Sequence, residues 1–178
     1  MANFTRADIN SIRYRRPGYA GIQVFIETGT YMGASTRLAA EVFPIVHTVE
    51  ISEALYWRAV ALFWDSKEIH CHLGESREFI AQMAKEILEP AIWYLDAHWF
   101  ARTTQPVGGK AEGLPLWEEI QALIDRPAGD IVIVDDVHCF AGKGPEPGWA
   151  NVTLESIAKQ FLDLQESVIL GDQAIIYR

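Results

Sequence analysis

Strand-like and helix-like segments alternate along this chain, and that alternation limits its fold more than any other feature. Five apolar runs predict strands at Gln23–Thr28, Ile45–Ile51, Glu68–Leu73, Ala91–Asp96 and Asp130–Asp135. Helical patterns lie between them at Ala34–Phe43, from Glu53 through Trp64, from the turn at 74–76 through Leu88, and at Leu116–Asp125. The runs at 91–96 and 130–135 are almost continuously apolar, as in central parallel strands that are buried on both faces. We therefore expect an α/β fold in which helices cover both faces of a doubly wound sheet.

The C-terminal segment adds a hairpin to this sheet. A helix is predicted at Asn151–Leu164, and strands follow at Ser167–Leu170 and Gln173–Arg178, separated only by Gly171-Asp172. So short a connection makes the last two strands antiparallel. The prediction is a mostly parallel, seven-stranded Rossmann-like sheet, which differs from the usual dinucleotide-binding arrangement by its terminal hairpin. The 178 residues are expected to form one domain, with residues 1–20 as a short N-terminal extension.

Composition narrows the classes of partner. The formal net charge of −9 opposes binding to nucleic acid or to an anionic membrane, because phosphate contacts need a positive surface. A small molecule is therefore the expected partner. Two cysteines, Cys71 and Cys139, form neither a disulfide framework nor a zinc cluster. Residues 1–20 have no apolar signal segment and the chain has no membrane-spanning run, so we predict a cytoplasmic protein with reduced thiols.

The turn after the first strand, Glu27-Thr28-Gly29…Gly33, has the composition of a cofactor loop. Glycine tolerates positive φ and lets a ligand approach the backbone, while the following helix offers free N–H groups in its first turn. The Glu27 carboxylate would repel a pyrophosphate but accepts hydrogen bonds from amino or hydroxyl groups. The turn therefore favours a cationic, hydroxyl-bearing cofactor over a dinucleotide.

Four strand-end motifs and the terminal hairpin together resemble a class I S-adenosylmethionine-dependent methyltransferase over nearly the whole chain. The motifs are the glycine turn, Glu50 after strand two, Gly74-Glu75-Ser76 after strand three and Asp96 after strand four. The resemblance implies that the glycine turn surrounds the methionine part of S-adenosylmethionine, that Glu50 binds the ribose hydroxyls and that residues 74–76 lie beside adenine. The implied cofactor-binding residues are Glu27, Thr28, Gly29, Thr30, Tyr31, Gly33, Ser35, Thr36, Glu50, Gly74, Glu75, Ser76 and Asp96.

Tyr31 is a departure from the family pattern, because the more usual loop has a third glycine at this place. We therefore expect the local approach to the cofactor to differ. A simpler interpretation of the whole set also exists. Glu27 and Glu50 would then be solvated carboxylates at strand ends, and the glycines would only form turns.

Carboxylates also follow strands four and five. Asp96 ends one strand and Asp135-Asp136 ends the other, and the carboxyl ends of parallel strands share one edge. Three carboxylates packed together repel unless a hard divalent ion lies between them. The set resembles the metal site of magnesium-dependent O-methyltransferases, which implies Asp96, Asp135 and Asp136 as ligands. Mg²⁺ is expected, although Mn²⁺ or Ca²⁺ would also suit three oxygen donors.

A narrower resemblance, to bacterial enzymes related to the macrolide-sugar O-methyltransferases, comes from Asp96-Ala97-His98, the segment 115–119 and the Asp135-Asp136 pair. The expected reaction is methyl transfer from S-adenosylmethionine to a hydroxyl oxygen of a sugar or aromatic molecule. The catalytic candidates are Asp96, with His98 as first choice for the base and His138 as second. His70 and His72 alternate with apolar residues and indicate a polar strand face, while His47 has no evident partner.

Acceptor recognition is assigned to the loops Ala97–Gly113 and Cys139–Trp149. Their aromatic residues would either stack on an acceptor ring or complete the core: Trp99, Phe100, Phe140 and Trp149. A partner subunit in a homo-oligomer is another source of acceptor contacts. Two other functions fit the same residues. One is a metal-dependent sugar or phosphoester hydrolase that uses the aspartates, and the other is a non-catalytic nucleotide-binding regulatory module.

Overall fold

A computed structural model describes residues 5–97, 113–127, 129–145 and 147–178. Its strands are β1 (Val24–Thr28), β2 (Ile45–Glu50), β3 (Ile69–Leu73), β4 (Ala91–Leu95), β5 (Ile131–Val134), β6 (Glu166–Leu170) and β7 (Gln173–Tyr177). They form one seven-stranded sheet in the order β3-β2-β1-β4-β5-β7-β6. Strands β1 to β5 are parallel, and β7 is antiparallel to both β5 and β6. The predicted mostly parallel sheet with a terminal hairpin is confirmed.

Six helices accompany the sheet in the described part of the chain: α1 (Arg6–Tyr14), α2 (Ala34–Ala40), α3 (Glu53–Leu62), α4 (Ser76–Glu86), α5 (Leu116–Leu123) and α6 (Leu154–Ala158). Helix α1 lies in the N-terminal extension and was not predicted. A reciprocal capping box between Thr5 and Asp8 begins it, and its buried side chains are Ile9 and Ile12. In the described ranges, no helix combines the length and the apolar character needed to cross a membrane.

The predicted helix at Asn151–Leu164 is wrong at both ends. A capping box between Thr153 and Ser156 begins α6 at Leu154, and α6 ends at Ala158. The preceding residues Pro147–Asn151 form a 3₁₀ turn that buries Trp149. The Trp149 ring lies against that of Phe140, with 6.0 Å between centroids, and both join the hydrophobic core. These two aromatic residues therefore complete the core, whereas Trp99 and Phe100 lie outside the described residues.

Both faces of the sheet are buried, which explains why its central strands are apolar throughout. In β4, Trp93 and Leu95 belong to a core that also contains residues of α4, α5 and α6. Ile92 and Tyr94, which point to the opposite face, belong to a core with α1 and α2. Alternate residues of one strand thus enter two separate cores.

The chain order reverses between β1 and β4, which are neighbours in the sheet. Connections on the two sides of such a point leave in opposite directions, so a crevice forms beyond the carboxyl ends of the strands. The strand ends at this crevice are Thr28 of β1 and Leu95 of β4, which pair in the register of the sheet. The residues predicted to bind the cofactor follow these and the neighbouring strand ends.

Candidate functional site

Two glycines shape the turn between β1 and α2. Gly29 has φ of +82° and Gly33 has φ of +75°, a region of backbone conformation that glycine adopts without a steric penalty. A Cβ added to Gly29 would lie 2.5 Å from the backbone oxygen of Asp96, and one added to Gly33 would lie 2.7 Å from the Phe63 ring. The absence of a side chain at Gly29 thus lets the turn pack directly against the end of β4.

Tyr31, the residue that replaces the usual third glycine, also has a left-handed backbone, with φ of +46°. This conformation costs a non-glycine residue about 1–2 kcal/mol. Its backbone N–H donates a hydrogen bond of 2.8 Å to Oε2 of Glu50 at the end of β2. A charge-assisted hydrogen bond of this kind offsets the conformational cost. The loop therefore has a left-handed residue here although the glycine is absent.

Glu50 is held in a fixed orientation. While Oε2 accepts from Tyr31, Oε1 accepts the backbone N–H of Ser52 at 2.9 Å, and the residue is only 5% exposed. Each carboxylate oxygen can accept more than one hydrogen bond, so both retain acceptor capacity. The interpretation of Glu50 as a solvated strand-end carboxylate does not fit this burial.

Glu27 is completely buried between β1, β2 and α2. Its Oε2 accepts hydrogen bonds from Thr36 at 2.5 Å and from Thr48 at 2.7 Å. Burial raises the pKa of Glu27, and hydrogen bonds from Ser35, Thr36 and Thr48 partly oppose that rise. The other oxygen, Oε1, is buried and has no hydrogen-bond partner within the described ranges. The Thr30 hydroxyl joins the same group through a 2.6 Å contact with the Thr48 hydroxyl.

The turn after β3 lies beside Glu50 and leaves open space. The Gly74 N–H donates to the Glu50 backbone oxygen at 3.1 Å, and a Cβ added at Gly74 would meet no described atom within 4 Å. Glu75 is the N-cap residue of α4, and Ser76 is its first residue. The Ser76 hydroxyl hydrogen-bonds Glu119 of α5.

Glu119 is a site residue that the sequence analysis missed. It is 1% exposed, its Oε1 lacks a partner in the part of the chain that the structure describes, and its carboxylate is hydrogen-bonded by Ser76 and Thr28. Burial is the main cause that raises the pKa of Glu119 to about 7. A signal was present in the sequence, because Glu119 lies three residues after Leu116 and next to Ile120, on the apolar face of its helix.

Thr28 joins the ends of β1 and β4. Its hydroxyl oxygen accepts the backbone N–H groups of Asp96 at 3.0 Å and of Ala97 at 3.2 Å. A hydrogen bond from the same hydroxyl to Glu119 partly opposes the rise in the pKa of Glu119 that burial causes. Thr28 thus positions the backbone of Asp96 at the crevice.

The three predicted metal ligands, Asp96, Asp135 and Asp136, interact electrostatically, but they do not bring one carboxylate oxygen each within 4.8 Å of one another. Burial, followed by repulsion from Asp135 and Asp136, raises the pKa of Asp96 well above its usual range. Burial and repulsion by Asp135 also raise the pKa of Asp136. Asp135 itself is buried, and its two oxygens accept hydrogen bonds from Tyr94 at 2.6 Å and from Gln173 at 2.8 Å.

Another residue missed by the sequence analysis is Asp172, in the turn between β6 and β7. Its Oδ2 lies 2.7 Å from Nδ1 of His138, while Oδ1 accepts the His138 backbone N–H at 2.8 Å. One ligand atom from each of Asp136, His138 and Asp172 lies within 4.8 Å of the others. The predicted base His98 lies outside the described residues, so only His138 has a structural environment to report.

Comparisons with known proteins rest on structure rather than sequence. No family model and no curated protein matches the sequence. A solved structure of a proposed methyltransferase from Thermobifida fusca is similar with a TM-score of 0.59 and 17% identity, covering 96% of this chain and 78% of that chain. The structure of an S-adenosylmethionine-dependent methyltransferase from Anabaena variabilis is similar with a TM-score of 0.58 and 16% identity, covering 97% of this chain and 83% of that chain.

A third structure, of a proposed caffeoyl-CoA O-methyltransferase from Staphylococcus aureus, has a TM-score of 0.56 and 12% identity, covering 99% of this chain and 83% of that chain. This chain has the methyltransferase fold. The resemblance predicted from its strand-end motifs is thereby confirmed at the level of the fold. In this methyltransferase fold, Gly29 packs against the backbone of Asp96 where β1 and β4 end.

Proposed function

We propose that this protein binds S-adenosylmethionine at the carboxyl ends of β1, β2 and β4 and transfers its methyl group to a hydroxyl oxygen of a small molecule. The main support is the hydrogen bond from the Tyr31 N–H to the Glu50 carboxylate. It lies in a turn with two glycines at positive φ, next to the point where the chain order of the strands reverses. The solved relatives in fold support methyl transfer as the class of reaction, since one is a S-adenosylmethionine-dependent methyltransferase.

The residues present fit this cofactor. The remaining acceptor capacity of Glu50 suits a pair of ribose hydroxyls, and the open space beside Gly74 suits a flat ring. The buried Oε1 of Glu27 lacks a donor among the described residues, and a cationic amino group would supply one. Thr30, Ser35 and Thr36 are also predicted cofactor contacts. Ser35 and Thr36 hydrogen-bond Glu27, and Thr30 contacts Thr48, so their hydroxyls hold the turn in place around Glu27.

Asp96, Asp135 and Asp136, which we call the acidic cluster, are the proposed ligands of a divalent metal ion. Burial, and then repulsion from Asp135 and Asp136, raise the pKa of Asp96, and a cation bound near these carboxylates would relieve the repulsion. Tyr94 and Gln173 each donate a hydrogen bond to one oxygen of Asp135 and fix the orientation of this carboxylate, as partners of metal-binding carboxylates do. When bound, Mg²⁺ would supply an anchor for the acceptor hydroxyl and lower the pKa of that hydroxyl.

The protein's own contribution to the reaction is to position the acceptor and remove a proton. His138 donates through Nδ1 to Asp172, which leaves a lone pair on Nε2 for the acceptor hydroxyl. Its side chain is 62% exposed and therefore accessible to a substrate. When bound, S-adenosylmethionine would supply a methyl group activated by its positive sulfur, and the crevice would hold the acceptor oxygen in line with that methyl group.

Calorimetry tests the cofactor part of the proposal directly. The full chain is titrated with S-adenosylmethionine and separately with S-adenosylhomocysteine. We expect one site per chain, and no heat with either compound would overturn the proposal.

Methyl transfer is then measured from labelled S-adenosylmethionine to a panel of aromatic and sugar diols, with Mg²⁺ or with EDTA. We expect transfer that EDTA abolishes and that Asp136→Asn reduces. Undiminished transfer in EDTA would contradict the metal assignment and leave the cofactor assignment intact. Comparing His138→Asn with His98→Asn at saturating substrate separates the two candidate bases, because only loss of the true base lowers kcat strongly.

A further inference from the structure

Three imidazoles come together on the sheet face that α4 covers, at the edge away from the acidic cluster. His47 of β2 pairs with His70 of β3, and their rings stack with centroids 4.8 Å apart. Nδ1 of His47 lies 3.1 Å from Nε2 of His72, so these two rings share a hydrogen bond. No partner for His47 was evident in the sequence, whereas in the structure it contacts both His70 and His72.

The spacing of the two nitrogens matches that of metal ligands. Two ligand nitrogens about 2.0–2.1 Å from a tetrahedral ion lie roughly 3.3 Å apart. The 3.1 Å separation between His47 and His72 needs only a small adjustment to reach that value. The hydrogen bond between the two rings lies where an ion would bind a lone pair from each of them.

A third imidazole, that of His70, lies beside this pair, although the three residues do not yet bring one ligand nitrogen each within 4.8 Å of one another. The His70 ring already lies flat against His47, and its side chain is exposed, so it can turn without disturbing the core. The Glu86 carboxylate, at the end of α4, favours a positive charge on both His47 and His72. Phe79 of α4 packs against His72, with 4.9 Å between ring centroids, and supports that ring from the other side.

We propose that His47, His70 and His72 bind one divalent transition-metal ion such as Zn²⁺ or Co²⁺ once the exposed His70 ring turns towards the other two. Imidazole donors select these ions over Mg²⁺, which prefers an all-oxygen environment. The site is separate from the acidic cluster, because β1 and β4 lie between β2 and β5 in the sheet. Its expected role is structural, since one ion would join edge strand β3 to β2.

Visible absorption of Co²⁺ tests this proposal without measuring enzyme activity. Co²⁺ is added to the full chain after chelation and dialysis, and the band of the tetrahedral ion is followed. We expect one Co²⁺ per chain with this band, together with an increase in Tm. His47→Asn and His72→Asn should each weaken Co²⁺ binding by at least about 100-fold, because each removes a direct ligand.

The matched control is Asp172→Asn, which removes a carboxylate from the other group of candidate ligands while leaving the imidazoles in place. It should retain the Co²⁺ band. Absence of the band in the unaltered chain, its persistence in both histidine variants, or its loss in Asp172→Asn would each overturn the proposal. His70→Ala, at an exposed position, keeps the test valid if a substitution at His47 prevents folding, and it should weaken binding. None of these results depends on S-adenosylmethionine binding.

Discussion

The backbone N–H of Tyr31 donates a 2.8 Å hydrogen bond to Oε2 of Glu50, which joins the turn after β1 to the end of β2. Tyr31 stands where the usual cofactor loop has glycine, yet its φ of +46° keeps the left-handed conformation. One carboxylate therefore organises the loop and also borders the proposed ribose position. Any change at Glu50 should affect both the stability of the loop and the binding of cofactor.

Replacing Glu50 by alanine should weaken S-adenosylmethionine binding at least tenfold, a loss of about 1.4 kcal/mol. It should also lower the free energy of unfolding by about 1–3 kcal/mol, because the Tyr31 and Ser52 N–H groups lose their acceptor. Calorimetry and urea unfolding measure the two effects. Glu53→Ala, at an exposed position on α3, is the control and should change neither. Unchanged cofactor affinity in Glu50→Ala would refute the ribose assignment.

Gly29→Ala should lower the free energy of unfolding by about 3 kcal/mol. Its φ of +82° disfavours a side chain, and the new Cβ would lie 2.5 Å from the Asp96 backbone oxygen. Gly74→Ala is the matched control, because its Cβ meets no described atom within 4 Å, and it should change stability by no more than about 1 kcal/mol. Urea unfolding of both variants measures the difference. Equal losses of unfolding free energy in the two variants would mean that the close contact between Gly29 and the end of β4 does not exclude a side chain.

Glu119→Gln should change how stability depends on pH. The folded state raises the pKa of Glu119 from 4.5 to about 7, so its contribution to stability is full below pH 4.5 and is lost as pH rises through about 7. Glutamine does not titrate. The variant should therefore gain roughly 3 kcal/mol relative to the unaltered protein between pH 4.5 and 8.

Urea unfolding across that pH range measures this gain. Glu118→Gln, whose side chain is 59% exposed, should show almost none of it. A pH profile of Glu119→Gln parallel to that of the unaltered protein would mean that Glu119 titrates normally.

Asp130→Ala should destabilise the fold by about 3–5 kcal/mol, because it leaves the buried charge of Arg126 without its partner. Asp130 accepts a 2.7 Å hydrogen bond from Arg126 and another of 2.9 Å from the Ala91 N–H at the start of β4. Thermal unfolding measures the loss. The control is Asp125→Ala, at an exposed position in the same connection, which should stay within about 0.5 kcal/mol. A similar Tm for both variants would contradict the assigned role of the buried pair.

The strand ends could be predicted because their signals are local. An apolar run, an acid and a glycine mark Glu27 and Gly29 without reference to any other part of the chain. The hairpin likewise follows from two residues between two apolar segments. Helix α6 could not be delimited in this way, because its capping box at Thr153 competes with an apolar pattern that extends on both sides.

The sequence by itself determined the order of strands and helices, the terminal hairpin and the acids that end the strands, because short-range periodicity and turn composition specify these features. Only the tertiary structure decided which distant side chains meet. Glu119 hydrogen-bonds Thr28 and Ser76, Asp172 hydrogen-bonds His138, and His47 hydrogen-bonds His72. These contacts depend on strand register and helix packing, and burial then sets the charge of each group. Neither property is contained in any local segment of the chain.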